Sequence, residues 1–178
     1  MKMTNILCAV LLGLPAVAMA GTLSELDTQM IAHQHAVDQT EIAMGKLAQA
    51  NGGAAVKKYG ATLVKDHTQA DKDITALAKK KGISTIPADT AMSESDKKDQ
   101  ADMTAKMKGE KGATFDRDFL DMMSMAHDRE ITKIDADIAV VTDADLKAAL
   151  QKTKPVLQSH SDTAKSLQKT VTSSMEMK

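Results

Sequence analysis

The segment from Ala54 to Gly82, AAVKKYGATLVKDHTQADKDITALAKKKG, decides the fold. It sets Val56, Tyr59, Leu63, His67, Ala70, Ile74 and Leu77 at intervals of three and four, the spacing that lines up one face of an α-helix. Lysines crowd its last turn, Gly82 offers a stop, and Pro87 stands beyond. One residue in that apolar stripe is out of place: His67 sits at its centre. The same pattern recurs downstream. Leu120, Met123, His127, Ile131, Ile134, Ile138 and Val141 make a second stripe, and Leu146, Leu150, Thr153, Leu157, His160, Ala164, Leu167 and Val171 a third. Each carries one histidine near its middle.

The rest of the chain fits around these stripes. Thr22-Leu23-Ser24-Glu25 reads as a capping-box start for a first helix that runs to about Ala50, where Asn51-Gly52-Gly53 stops it. Its stripe is Leu26, Met30, His33, Val37, Glu41, Met44 and Ala48, so it offers both His33 and Glu41 inward. A shorter third helix opens at Ser93 and ends at Gly109. The fourth begins at Thr114, and Asp143 caps the fifth, which runs to about Val171. Four long helices and one short one predict an all-α protein, an up-down four-helix bundle with a short crossover helix between two hairpins. Gly45 and Gly60 are costly inside helices, but they lie at similar distances from the first turn, which predicts close approach of the two backbones there.

The first twenty residues stand apart from this pattern. Lys2 precedes an apolar run from Ile6 to Val17 too short to span a bilayer, and Ala18-Met19-Ala20 is a small-x-small cleavage pattern. The expectation is a signal peptide over 1–20, a single helical domain over 21–172, a flexible tail over 173–178, and a periplasmic or secreted product without a transmembrane anchor. The only cysteine, Cys8, falls inside that leader, so disulfides, thiolate metal sites and cysteine nucleophiles are excluded from the mature chain. Lys and Arg number 23 against 24 Asp and Glu, and two Phe, one Tyr and no Trp leave no stacking platform, so a nucleic-acid partner is not indicated. No phosphate loop, nucleophile elbow or His-Glu-x-x-His occurs, and no enzyme class is indicated.

Counting from turns placed at residues 52 and 142, His67, His127 and His160 stand about 15, 15 and 18 residues away, or roughly 22–27 Å at 1.5 Å per residue. Three inward imidazoles then share one level, provided the two turns lie at the same end. His33 and Glu41 bracket that level, and depth alone does not choose between them. A buried imidazole cluster needs partners, and a divalent metal with a carboxylate would supply them, with iron, zinc, copper or manganese suiting such donors. Met122, Met123 and Met125 beside His127 bring copper forward, although methionine more often fills irregular core space. The alternative is that each histidine lies at the edge of its stripe and bonds a backbone carbonyl, Asp66 or Asp128. Function then divides between a metal-binding bundle and a non-catalytic envelope protein, for stress tolerance or partner binding, whose histidines are structural. Pro155, five residues before His160, frees the carbonyl of Gln151.

The blocks Glu41-Ile42-Ala43-Met44-Gly45-Lys46-Leu47-Ala48, Val64-Lys65-Asp66-His67, Phe115-Asp116-Arg117-Asp118-Phe119 and Pro155 with His160 and Ala164 resemble the exported bacterial domain of unknown function 4142 family, often described as ferritin-like. The similarity runs from about Met30 to Leu167. It implies a ferritin-like bundle outside the cytoplasm and favours Glu41, His67, His127 and His160 over His33 as the functional set. The chain lacks the Glu-x-x-His spacing of di-iron bundles, because Val64, Ser124 and Leu157 stand three residues before the histidines. Where the family usually has a tyrosine, this chain has Phe119.

Overall fold

The structure, a computed structural model, describes residues 23–90 and 94–176. These form five helices: α1 (Glu25–Asn51), α2 (Ala54–Lys80), α3 (Glu94–Lys108), α4 (Gly112–Val140) and α5 (Ala144–Glu176). Among the described residues there is no strand, and no helix is long and apolar enough to cross a membrane. The leader read over 1–20 lies outside the described residues.

Local chemistry sets the helix ends. Ser24, the third residue of the expected capping box, is itself the N-cap of α1, its hydroxyl accepting from the Asp27 amide at 3.0 Å. Asp143 does the same for Leu146 at the head of α5. α2 closes with Gly82 at φ 84°, a left-handed conformation that costs glycine little, and the paired bonds Gly82 N–H to Lys79 C=O and Ile83 N–H to Ala78 C=O satisfy its last carbonyls. α4 begins two residues before the expected Thr114, and α5 runs through Pro155 and past Val171 to Glu176.

α1 packs along α2 and α4 along α5, with α2 against α5 and α1 against α4 closing the arrangement. Contacts at the helix ends fix the directions. The Gly53 amide donates to Asp116 near the start of α4, whereas Thr142, just past the end of α4, bonds Asp27 at the start of α1. Lys81, after α2, pairs with Asp143 and Asp145 at the start of α5. The two tight turns therefore lie at opposite ends, which corrects the premise of the depth count. The count survives because the three histidines sit near the midpoints of their helices, where distance from either end is nearly the same.

The core falls into two apolar clusters. One, toward the α1–α2 turn, is built on Tyr59, Leu63, Met107, Phe115, Phe119 and Met123; the other, toward the α4–α5 turn, on Ile31, Ile74, Ile134, Leu146, Leu150 and Leu157. Phe119 stacks on Phe115 at 5.4 Å and meets Tyr59 edge-on at 6.2 Å. At Gly45 a Cβ would lie 2.7 Å from the Gly60 carbonyl oxygen, and at Gly60 one would lie 2.6 Å from that of Gly45, so the expected close approach is real. Leu26 and Val37 do not face inward as expected: Leu26 is 52% exposed, and Val37 is only partly buried. The buried face of α1 instead carries Asp27, Met30, Gln34, Asp38, Glu41 and Ala48.

Candidate metal centre

The level between the two apolar clusters is polar. His67 from α2, His127 from α4 and His160 from α5 are 2%, 2% and 3% exposed. Each ring is held by one nitrogen. His67 Nδ1 bonds Asp38 Oδ1 at 2.8 Å, His127 Nδ1 bonds the Met123 carbonyl at 2.7 Å, and His160 Nε2 bonds Asp66 Oδ2 at 3.1 Å. A carbonyl oxygen only accepts, so His127 must carry its proton on Nδ1. When neutral, a ring donating to a carboxylate is fixed in the same manner, which leaves lone pairs on His67 Nε2, His127 Nε2 and His160 Nδ1.

None of these three nitrogens has a hydrogen-bond partner, and Glu41 Oε2 is likewise buried without one, as is Glu110 Oε2. The three histidines offer ligand atoms that all lie within 4.8 Å of one another, and their ring centroids are 5.3–6.0 Å apart. Three rings with one unpartnered nitrogen each are thus gathered in one place, and the Glu41 carboxyl is near enough to His67 and His160 to interact with their charge. Each orphaned buried polar atom costs about 1–3 kcal/mol unless something satisfies it.

The electrostatics follow from burial and neighbours. Burial pushes the Glu41 carboxyl above its usual range against the pull of His67 and His160. His127 is held down to about 4 by burial and by the neighbouring His67, against the Met123 carbonyl. Burial also lowers His160, against its bond to Asp66. For His67 burial works in the same direction, but the hydrogen bond it donates to Asp38 and the charges of Glu41, Asp38 and Asp66 outweigh it and raise the ring. A cation at this point would stabilise Glu41 ionised and the imidazoles neutral.

The remaining candidates separate from this cluster. His33 uses both nitrogens elsewhere, bonding Asp89 at 2.9 Å and Glu130 at 3.0 Å, while Gln34 bonds the other Glu130 oxygen. His35 bonds Asp71. Met123 contributes its carbonyl to His127 while its side chain lies in the core, and Met125 is 55% exposed. Ser124 donates to the Asp121 carbonyl. Asp128 receives Ser161 and Lys165, and no histidine. The sequence reading had no place for Asp38, the buried orienting group of His67. Its one signal is its position three residues before Glu41, which puts both on one face of α1.

Metal-ligating histidines ordinarily donate their other ring nitrogen to a carboxylate or backbone carbonyl, which sets tautomer and orientation. All three rings meet that description, and three converging nitrogen donors are of the kind that suits divalent zinc, iron, manganese or copper; Glu41 stands outside the group of mutually close ligand atoms. The profile of the family described as Domain of unknown function (DUF4142) matches residues 12–167. The chain belongs to this family. No curated protein and no solved structure matches it. In this DUF4142 chain the blocks that carried the resemblance supply Glu41, Asp66, His67 and His160, and His127 completes the cluster from outside them.

Proposed function

We propose that this chain is an exported, ferritin-like four-helix bundle that binds one divalent transition metal ion through His67, His127 and His160, with Glu41 as the carboxylate donor. The bundle reading draws support from the helix directions. α2 and α4 run parallel, and the stretch between them, which carries α3, passes from one end of the molecule to the other, as a single long crossover requires. Export rests on Lys2, the apolar run behind it and the Ala18-Met19-Ala20 pattern.

The observation that carries the metal reading is that each imidazole is already pinned through one nitrogen while the other is buried without a partner, in a group of three whose ligand atoms lie within 4.8 Å of one another. A structural histidine needs its first bond. It gains nothing from leaving the second nitrogen without a protein partner beside two others. When bound, the ion supplies positive charge and Lewis acidity at that point; Asp38, Asp66 and the Met123 carbonyl hold the rings in the tautomers that face it.

The test is metal analysis of protein purified without chelators, followed by reloading. The expected result is about one ion per chain, lost in His67→Ala and His127→Ala and retained in His35→Ala. Absence of metal uptake across zinc, iron, manganese and copper overturns the proposal and leaves the histidines a structural role.

A further inference from the structure

With His67, His127 and His160 at most 3% exposed, an ion must reach them through the protein. Contacts cross each seam between the long helices. Backbones touch across α1 and α2 at Gly45 and Gly60; His33 and Gln34 tie α1 to Glu130 of α4; Ser161 and Lys165 tie α5 to Asp128 of α4. The α2–α5 seam is bridged as well, by Tyr59 to the His160 carbonyl, by His160 to Asp66 and by Lys152 to Asp73. It holds a cavity of about 250 Å³ lined by Asp38, His67, Asp73, Leu150 and Leu157 among others, and a second of about 550 Å³ lined by Tyr59, Thr62, Pro155, Ser159 and His160 among others.

Asp66 and Val156 line both cavities. Of the groups that orient the three rings, the Asp38 side chain is 6% exposed, whereas that of Asp66 is 30% exposed. Asp66 therefore touches solvent with the same carboxylate that bonds His160. Its other oxygen lies 3.9 Å from Nζ of Lys65, a side chain that is itself 86% exposed. Pro155, beside Val156, has no amide to bond the Gln151 carbonyl, so α5 lacks one internal hydrogen bond at this level.

We propose that the α2–α5 seam is the loading route of the centre and that Asp66 is its capture site, taking a hydrated divalent cation from solvent and passing it to His160. The proposal rests on the metal-centre reading above. Carboxylate oxygens are the ligands a hydrated cation accepts first, and exchanging them for imidazole nitrogens as water is shed follows the preference of borderline metals. Lys65 beside Asp66, Lys58 at the second cavity, and Lys152, paired with Asp73 across the first, temper the attraction, so the steering effect belongs at the lower end of the usual range.

The experiment is stopped-flow loading with Co²⁺, read from the visible band that imidazole coordination gives the ion, and release into excess chelator. Asp66→Asn keeps an oxygen to accept from His160 but loses the charge. It should load about tenfold more slowly at low salt and lose the salt dependence of the unsubstituted protein. Asp38→Asn makes the same change at a buried position, so it should speed release without slowing capture. Val156→Trp, on an exposed position, should slow loading and release by the same factor, because an obstructed path changes both rates and not the equilibrium. A normal cobalt band that forms at unchanged rate in both Asp66→Asn and Val156→Trp overturns the route alone. Equal slowing by Asp38→Asn and Asp66→Asn also overturns it. No cobalt band in the unsubstituted protein overturns the centre and the route together.

Discussion

Replacing His127 with leucine should stabilise the metal-free protein and cost it the metal. The imidazole is 2% exposed, its Nε2 has no partner, and burial holds its pKa down to about 4. Removing a buried nitrogen without a partner recovers about 1–3 kcal/mol. The loss is one bond to the Met123 carbonyl, an intrahelical acceptor that the residue-127 amide still serves. Leucine is apolar and of similar size, so some shape mismatch against the neighbouring rings will offset part of the gain. The net expectation is about 1–2 kcal/mol, or roughly 2–8 °C in Tm for a chain of this length. With metal the order reverses. At a free metal concentration of about 100 Kd, linkage adds about 2.7 kcal/mol to the unsubstituted protein and nothing to the variant. Thermal unfolding by circular dichroism, with chelator and with Zn²⁺, reads both halves. A His127→Leu protein that melts below the unsubstituted protein in chelator, or that gains as much from Zn²⁺, refutes the reasoning.

Three further outcomes follow from other parts of the molecule. Gly45→Ala places a Cβ 2.7 Å from the Gly60 carbonyl oxygen and 2.8 Å from Val64 Cγ2, so α1 and α2 must separate. Even after the helix-propensity gain of about 0.5–1 kcal/mol, a loss of about 1–2 kcal/mol should appear as a lower urea midpoint with unchanged slope. His33 is raised, the bonds and charges of Glu130 and Asp89 outweighing burial, while Glu130 is lowered, His33 and Gln34 outweighing its own burial. The His33 contribution is complete below its unfolded value near 6.5 and lost as pH rises through its raised folded value; that of Glu130 is complete above its unfolded value near 4.5 and lost as pH falls through its lowered one. Urea titrations of the unsubstituted protein minus His33→Ala should therefore give a stability difference largest between about pH 4.5 and 6.5 and falling on both sides. Asp38→Asn should weaken metal affinity by about 10–100-fold, measured by chelator competition, because it removes the charge that orients and polarises His67.

How far the sequence could be read depended on which helix was being read. α2, α4 and α5 show apolar stripes interrupted by one histidine each, so the anomaly stands out and the three site histidines are visible. α1 buries Asp27, His33, Gln34, Asp38 and Glu41, and a search for apolar periodicity slides off such a face. Apolar periodicity on such a helix favours Leu26 and Val37 and passes over Asp38. The preference for Glu41 over His33 rests on resemblance; His33 spends both nitrogens on Asp89 and Glu130, Glu41 keeps an oxygen without a partner, and the group of mutually close ligand atoms is the three histidines alone. The ends at which the turns lie depend on a long connection whose path no local pattern encodes. The shared depth of the histidines was legible regardless, because a residue at mid-helix keeps its level whichever way the helix runs. A bond from His160 to Asp66 and a common site for the three rings do not compete. They use different nitrogens of the same ring, and both can hold.

Binding of one ion by these donors is the central claim to be tested. X-ray absorption at the zinc edge of the loaded protein measures this directly. Three imidazole nitrogens and one carboxylate oxygen at about 2.0–2.2 Å are expected, with one imidazole fewer in His160→Ala. A shell of oxygen scatterers without imidazole, or a spectrum indifferent to His160→Ala, would contradict it.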